Sequence, residues 1–153
     1  MPIGNIVKDG GIKAVIEYYK SLSDKYYDAF VDMIVFDAVI LNTDRHFGNF
    51  GFMVDNRTNK ICAPAPLFDH GLSLLTYAMD NDLQDWETYA KTRVPATYSD
   101  FTELAKQLMG HSQKEKLRKI INLKFKKHLR YNWSDERLRI LEQMLRKQVK
   151  SIL

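Results

Sequence analysis

Residues 36–51 read FDAVILNTDRHFGNFG, and this stretch decides the fold. Apolar residues recur at helical spacing from just after Ser23 or Asp24, and the first six residues of this stretch are the end of that pattern. Beyond Leu41 the residues turn polar and no longer suit an amphipathic helix. We therefore predict a long helix that ends near Leu41 and delivers residues 42–49 as a loop. The buried stripe of this helix is expected to comprise Tyr27, Phe30, Ile34, Ala38 and Leu41.

A β-hairpin is predicted directly after this loop. Residues 50–54 (FGFMV) and 60–64 (KICAP) have the composition of two strands, and the turn-rich residues 55–59 (DNRTN) connect them. The chain then enters a second loop at residues 67–71 (LFDHG). Because a hairpin returns the chain to where it began, we expect this second loop to meet residues 42–49 at one end of the hairpin.

The remaining segments predict further helices. Each has an apolar period with a capping residue or a stop signal at an end. The predicted helices cover residues 12–21, 82–91 and 99–109, a segment that starts at Ser112, and a final segment capped by Ser134. The sequence therefore predicts a single α+β domain over residues 1–153 that is mostly α-helical.

Composition excludes several classes of protein. Hydrophobic residues make up 45% of the 153 residues and charged residues 27%, which is typical of a globular domain and not of a disordered chain. A single cysteine, Cys62, excludes an intramolecular disulfide, and we expect it to be a buried, inert thiol. Residues 1–20 lack the apolar core of a signal peptide, and no apolar run approaches the length of a membrane span. We therefore expect a cytoplasmic protein without a membrane partner.

Charge is divided unevenly along the chain. Residues 1–100 carry a net charge of −5, whereas residues 101–153 carry +9. A basic helical segment is more often a solvated surface than a nucleic-acid site. No aromatic stacking module is evident beside the cluster of Lys124, Lys126 and Lys127, so we rank nucleic acid last among the expected partners.

Three oxygen-bearing side chains are predicted to meet where the two loops converge, namely Asp44, Asn49 and Asp69. Such oxygens suit Mg²⁺, which usually shares its coordination with substrate phosphates. Their order matches the catalytic Asp, the metal-binding Asn five positions later and the metal-binding Asp-x-Gly of enzymes that transfer phosphoryl groups. No zinc-type Cys/His cluster, nucleophile elbow or P-loop motif competes with this interpretation.

The stretch FDAVILNTDRHFGNFG, followed by APLFDHG, resembles the C-terminal lobe of HipA-like serine/threonine kinases, whose catalytic core is similar to that of phosphoinositide 3-kinase-like enzymes. The resemblance is best over residues 24–76. It implies a kinase C-lobe-like helical domain with one small β-hairpin beside the catalytic and metal loops. It also implies that Asp44 is the general base or orients the acceptor hydroxyl, and that Asn49 and Asp69 hold Mg²⁺ with the phosphates of ATP. The acceptor would be a protein Ser or Thr, and the protein would act in a toxin–antitoxin module.

The same resemblance assigns roles to neighbouring residues. His46 would be a catalytic residue that touches the transferred phosphate, or would orient the loop. Arg45 would pair with an acid, for which Asp37 is the candidate. Asp37 lies within the apolar run VFDAV, so the sequence predicts either a buried hydrogen-bonded acid or a support for the loop.

A kinase also needs an N-terminal lobe with a phosphate-covering loop and a lysine on a strand. The residues before the first long helix contain neither feature, so the nucleotide-binding residues stay unassigned and we expect little turnover from this chain alone. Three explanations remain open: an excised fragment, one subunit of a split kinase, and a non-catalytic remnant that serves as a protein-interaction module. The expected partners are Mg²⁺ with ATP, a protein substrate, a complementary N-lobe or antitoxin chain, or a second copy of this chain.

Overall fold

Seven α-helices and one two-stranded antiparallel sheet form the fold, which the computed structural model describes for all 153 residues. The elements are α1 (Gly11–Leu22), α2 (Asp24–Ile40), β1 (Phe52–Asp55), β2 (Lys60–Pro64), α3 (Asp80–Gln84), α4 (Trp86–Lys91), α5 (Phe101–Leu108), α6 (His111–Ile120) and α7 (Asp135–Ile152). The expected mostly α-helical α+β class is confirmed. None of the helices has both the length and the apolar character needed to cross a bilayer.

Helix α2 is the centre of the structure. It packs against α1, α5, α6 and α7, and its C-terminal half is buried on almost every side. A helix that is apolar nearly all round belongs in a core, and only Phe36 in this half is substantially exposed. Leu41 follows the last residue of α2 as its C-cap, adopts a left-handed conformation and donates its N–H to the Asp37 carbonyl. The polar loop at residues 42–49 therefore leaves the core at a defined point.

The hairpin packs on aromatic rings. Phe52 of β1 is buried, and its ring centroid lies 5.0 Å from that of Tyr19 and 5.8 Å from that of Tyr26. Phe52 pairs with Pro64, and the register shifts between Met53 and Val54. Strand β1 begins shortly after residues 42–49, and β2 ends shortly before residues 67–71. Because Phe52 and Pro64 are paired, the hairpin brings the two loops to the same end, as predicted.

Several boundaries differ from the sequence prediction. The predicted helix at 82–91 is divided into α3 and α4, because Asp85 leaves the helical conformation and its side chain accepts the N–H of Thr88. Asp100, rather than Ser99, caps α5. Ser134 caps α7 as predicted. The prediction of a buried Cys62 was wrong: the thiol is exposed, because a two-stranded sheet packs only one of its faces against the core.

The first residues of the chain lie across the start of β1. The N–H of Ile3 donates to the Phe50 carbonyl, and the N–H of Phe52 donates to the Met1 carbonyl, both at 2.9 Å. Gly51, between these contacts, has a φ of +155°. A Cβ atom at this position would overlap the Met1 carbonyl oxygen and lie 2.8 Å from the Ile3 nitrogen. Only glycine allows the two segments to approach this closely.

The variant Gly51→Ala tests this packing. We expect it to lower the free energy of unfolding in urea by about 1–3 kcal/mol, because the methyl group forces residues 1–3 away from β1. Gly71→Ala is the matched control, since a Cβ there meets no atom within 4 Å. Equal stability of the two variants would contradict the proposed close approach.

Candidate functional site

A buried ion pair connects α2 to the loop at residues 42–49. The Arg45 guanidinium donates from Nε to Asp37 Oδ2 at 2.8 Å and from Nη2 to Asp37 Oδ1 at 3.1 Å. The Arg45 residue is 1% exposed and Asp37 is fully buried. Asn42 Nδ2 also donates to Asp37 Oδ1, at 3.0 Å. The predicted pairing of Arg45 with Asp37 is therefore confirmed, and Asp37 is a hydrogen-bonded acid that supports the loop.

The remaining donors of the Arg45 guanidinium connect the two loops to each other. Nη1 donates to the carbonyl of Asn49 at 2.9 Å and to the carbonyl of Phe68 at 2.7 Å. Nη2 lies 3.0 Å from Nδ1 of His70. Arginine has five N–H donors and no acceptor, so His70 Nδ1 accepts here and the ring proton lies on Nε2. All five donors of Arg45 thus have partners, and the backbones of the two loops lie side by side.

The first loop is also ordered from within. Asn49 Nδ2 donates to the Asp44 carbonyl at 3.0 Å, and the backbone N–H of Asn49 donates to the His46 carbonyl at 2.9 Å. The N–H of Thr43 donates to the Leu72 carbonyl at 3.1 Å, which joins the two loops a second time. The side chain of Asn49 consequently has one fixed orientation, with its amide nitrogen occupied and its Oδ1 oxygen accepting no hydrogen bond.

The structure brings the predicted site residues onto these two adjoining loops. Asp44 is half-buried, and Asp69 is exposed directly after Phe68, with a left-handed φ of 59°. Neither carboxylate forms an ion pair, and neither accepts a hydrogen bond. Asn49 is 5% exposed. Its Oδ1 atom accepts no hydrogen bond, but it is not fully enclosed by protein atoms. Two carboxylates and one amide oxygen are therefore available to a ligand.

His46 is exposed on the same loop. Its Nδ1 atom accepts the N–H of Gly48 at 3.0 Å. This hydrogen bond requires an unprotonated Nδ1, so the neutral ring carries its proton on Nε2. His46 therefore both shapes the loop and presents a donor to the solvent.

The donor set fits a hard divalent cation. Carboxylate and amide oxygens are the ligands that Mg²⁺ takes, with water and phosphate oxygens completing its shell. No three His, Cys, Asp or Glu side chains lie close enough anywhere in the protein to share a metal ion. A site held by Asn49 and Asp69, with Asp44 beside it, would thus depend on ligands from a nucleotide or from water.

Two residues of this region were not identified from the sequence. Thr97 Oγ1 donates to the Arg45 carbonyl at 3.3 Å, so the segment after α4 contacts the first loop. The hydroxyl of the adjacent Tyr98 is buried without a partner, and burial raises its pKa, with a further contribution from the Asp37 charge. These residues lie more than 50 positions from Arg45, and no local pattern connects them.

Comparison with known proteins supports the fold alone. No protein-family model matches the chain. No curated protein matches it either. Among solved structures, a Helicobacter pylori proinflammatory kinase, CtkA, matches with a TM-score of 0.59 and 21% sequence identity over 95% of this chain. The chain spans 61% of the length of that kinase. The protein therefore has a kinase-like fold.

The ion pair can be tested by breaking it and then replacing it. Arg45→Met should lower the free energy of unfolding by about 3–5 kcal/mol, because it leaves the Asp37 charge buried without compensation. The double variant Asp37→Leu with Arg45→Met should recover much of this loss, since apolar residues can replace a buried pair. Urea denaturation measures both effects.

The same variants separate stability from positioning of the loops. We expect the amide hydrogens of residues 67–71 to exchange faster in the double variant even where its stability recovers, because no guanidinium holds the second loop. Glu87→Gln, which removes the exposed ion pair with Lys147, should cost less than about 1 kcal/mol and leave this exchange unchanged. Unaltered exchange in the double variant would contradict the positioning role.

Proposed function

We propose that this chain is the C-terminal lobe of a HipA-like serine/threonine kinase, which transfers the γ-phosphoryl group of ATP to a protein Ser or Thr in a Mg²⁺-dependent reaction. One observation carries the proposal. Three oxygen donors, from Asp44, Asn49 and Asp69, have no partner in the protein although they lie on two loops held side by side by a buried guanidinium. Their order along the chain is that of the phosphoryl-transfer template. The kinase-like fold over 95% of the chain is consistent with it.

The proposed roles follow from the chemistry of each side chain. Asp44 accepts the proton of the acceptor hydroxyl or orients that hydroxyl toward the phosphate. Asn49 Oδ1 and the Asp69 carboxylate would hold Mg²⁺, which neutralises charge on the nucleotide phosphates when it is bound. His46 can donate from Nε2 to a phosphate oxygen, because its Nδ1 is engaged with the N–H of Gly48.

We further propose that the part of the site that grips the nucleotide is supplied by another polypeptide segment, such as a complementary N-lobe or an antitoxin chain. Large apolar side chains are exposed close to the hairpin and the second loop. Met53 and Phe68 are each 49% exposed, Leu67 is 41% exposed and Phe36 is 40% exposed. Exposed apolar surface of this kind marks a site of protein contact. The proposed setting is a cytoplasmic toxin–antitoxin module.

A second candidate function is that of a non-catalytic interaction module with a kinase-like fold. A groove of 290 Å³ between α2 and α6 favours it, because its walls are mostly apolar. The groove is lined by Val35, Phe36, Val39, Leu67, Leu117 and Ile120 together with polar residues at its rim. A partner seated here would bind without any role for Asp44, Asn49 or Asp69, and the two candidates are therefore distinguishable by metal binding.

Mn²⁺ is a suitable probe of the metal site, since it replaces Mg²⁺ at oxygen ligands and broadens nearby NMR signals. We expect substoichiometric Mn²⁺ to broaden the amide signals of residues 44–49 and 67–71 of the full chain before any others. Asp69→Asn should weaken this effect roughly tenfold or more, because it removes the charged ligand. Asp24→Asn, at an exposed acid outside the site, is the control. Preferential broadening at other acidic residues would rule out the proposed ligands.

Catalysis is tested with the chain alone, using ATP, Mg²⁺ and a generic acceptor protein. We expect little or no phosphorylation, because positioning supplies most of the acceleration in phosphoryl transfer. In this proposal, another polypeptide segment supplies the groups that bind the nucleotide. Robust phosphorylation that Asp44→Asn abolishes would support the kinase assignment and refute the need for a second segment. Mn²⁺ binding elsewhere, together with inactivity in the presence of a complementary lobe, would favour the interaction module.

A further inference from the structure

The connection between α6 and α7 carries an apolar tip. Leu129 is 100% exposed, Tyr131 is 80% exposed and Trp133 is 46% exposed. Side chains of this size are rarely left in water together unless they meet a partner. We refer to residues 125–133 as the tip segment. It borders an open surface cavity of 530 Å³.

The tip segment has a defined conformation. The N–H of His128 donates to Asn132 Oδ1 at 2.7 Å, and Asn132 Nδ2 donates back to the His128 carbonyl. His128 Nδ1 accepts the N–H groups of Arg130 and Tyr131, and its ring stacks on that of Tyr131 at a centroid distance of 5.8 Å. Hydrogen bonds between neighbouring residues therefore fix the turn that contains Leu129, and this turn leaves the Leu129 side chain exposed.

The charge around the tip is positive. Residues 123–134 contain four Lys or Arg residues and no Asp or Glu. Lys124 pairs with Glu142, whose pKa is lowered by that hydrogen bond, and Lys127 pairs with Asp135, whose pKa is lowered in the same way. Lys126 and Arg130 have no such partner in the protein. Two cations beside exposed apolar side chains are therefore free to meet an anionic surface.

We propose that the tip segment docks the protein on an anionic lipid surface. Leu129 would enter the outer acyl region, while Tyr131 and Trp133 would lie at the headgroup level, where amphipathic aromatic side chains are most stable. Lys126 and Arg130 would face the lipid phosphates and carboxylates. This peripheral contact is independent of the proposed phosphoryl transfer, and it departs from the sequence-based expectation of no membrane partner.

The same segment is less suited to nucleic acid. Binding of single strands relies on free aromatic faces for stacking. The His128 ring stacks with an offset on one side of Tyr131, and the Arg137 guanidinium lies 5.0 Å from the centre of the Trp133 ring. An aliphatic side chain such as Leu129 gains nothing from stacking, whereas it gains from leaving water at a bilayer. The fully exposed leucine therefore favours lipid.

The experiment is co-sedimentation of the full chain with vesicles of phosphatidylcholine alone or of phosphatidylcholine mixed with phosphatidylserine. We expect binding to the mixed vesicles and little binding to phosphatidylcholine. Lys126→Gln with Arg130→Gln should weaken the binding about 25-fold, since each basic residue near the surface contributes roughly fivefold. Leu129→Ser should weaken it about tenfold. These side chains are exposed, so circular dichroism should show an unchanged fold.

Matched controls use exposed residues elsewhere in the chain. Lys13→Gln with Lys25→Gln removes the same charge, and Val94→Ser removes an apolar side chain that is 61% exposed. Both should bind mixed vesicles like the parent chain. Tryptophan emission should shift to the blue on binding, and Trp133→Phe should abolish that shift.

Three results would overturn the proposal. These are absence of binding to the mixed vesicles, binding that the tip variants leave intact, and equal loss in the controls. Tight binding of a polyuridine oligonucleotide without vesicle binding would instead assign the basic surface to nucleic acid.

Discussion

The guanidinium of Arg45 lies in the interior of the protein, and each of its five donors meets an acceptor. Two acceptors belong to Asp37 on the central helix, one to the first loop and two to the second loop. In a medium of low polarity, an unmet donor or an unpaired charge is costly. The guanidinium therefore allows one arrangement of the helix and the two loops, and the geometry of the candidate site depends on it.

This arrangement separates support from chemistry within a short stretch of chain. Asp37 and Arg45 pair in the interior, and His70 Nδ1 accepts from the same guanidinium, so the two charges and all five Arg45 donors have partners. The neighbouring Asp44 and Asp69 have no internal partner and face accessible space. A buried ion pair adds little net stability compared with a well-packed apolar core, but its directional bonds specify one geometry. The proposed site for a metal ion and a phosphate needs a single geometry, because its side chains must be held in place before the ion and the phosphate bind.

The surfaces away from this centre differ in character. The hairpin packs Phe52 on a cluster of tyrosine rings and leaves Met53 exposed. Phe36, Leu67 and Phe68 near it are exposed as well, and this apolar surface suits a protein partner. The connection between α6 and α7 combines apolar side chains with Lys126 and Arg130, which suits an anionic partner. The net charges of −5 and +9 in the two parts of the chain thus accompany two different kinds of proposed contact.

Local patterns were sufficient to predict the long helix, its end near Leu41, the hairpin and the final helix capped by Ser134. Helical periods, turn residues and caps act over a few neighbouring residues, so the sequence displays them directly. The spacing of Asp44 and Asn49 is local in the same sense, and it identified the candidate residues. The pairing of Asp37 with Arg45 was within reach because both residues flank one helix end.

Tertiary structure alone decided the rest. The acceptor role of His70, the contact of Thr97 with the first loop and the exposure of Cys62 depend on which distant segments come together and which faces stay uncovered. The free oxygen of Asn49 likewise emerges only when its amide nitrogen is seen bound to the Asp44 carbonyl. Hydrogen bonds and burial are formed between elements brought together by packing, and a one-dimensional pattern contains no record of them.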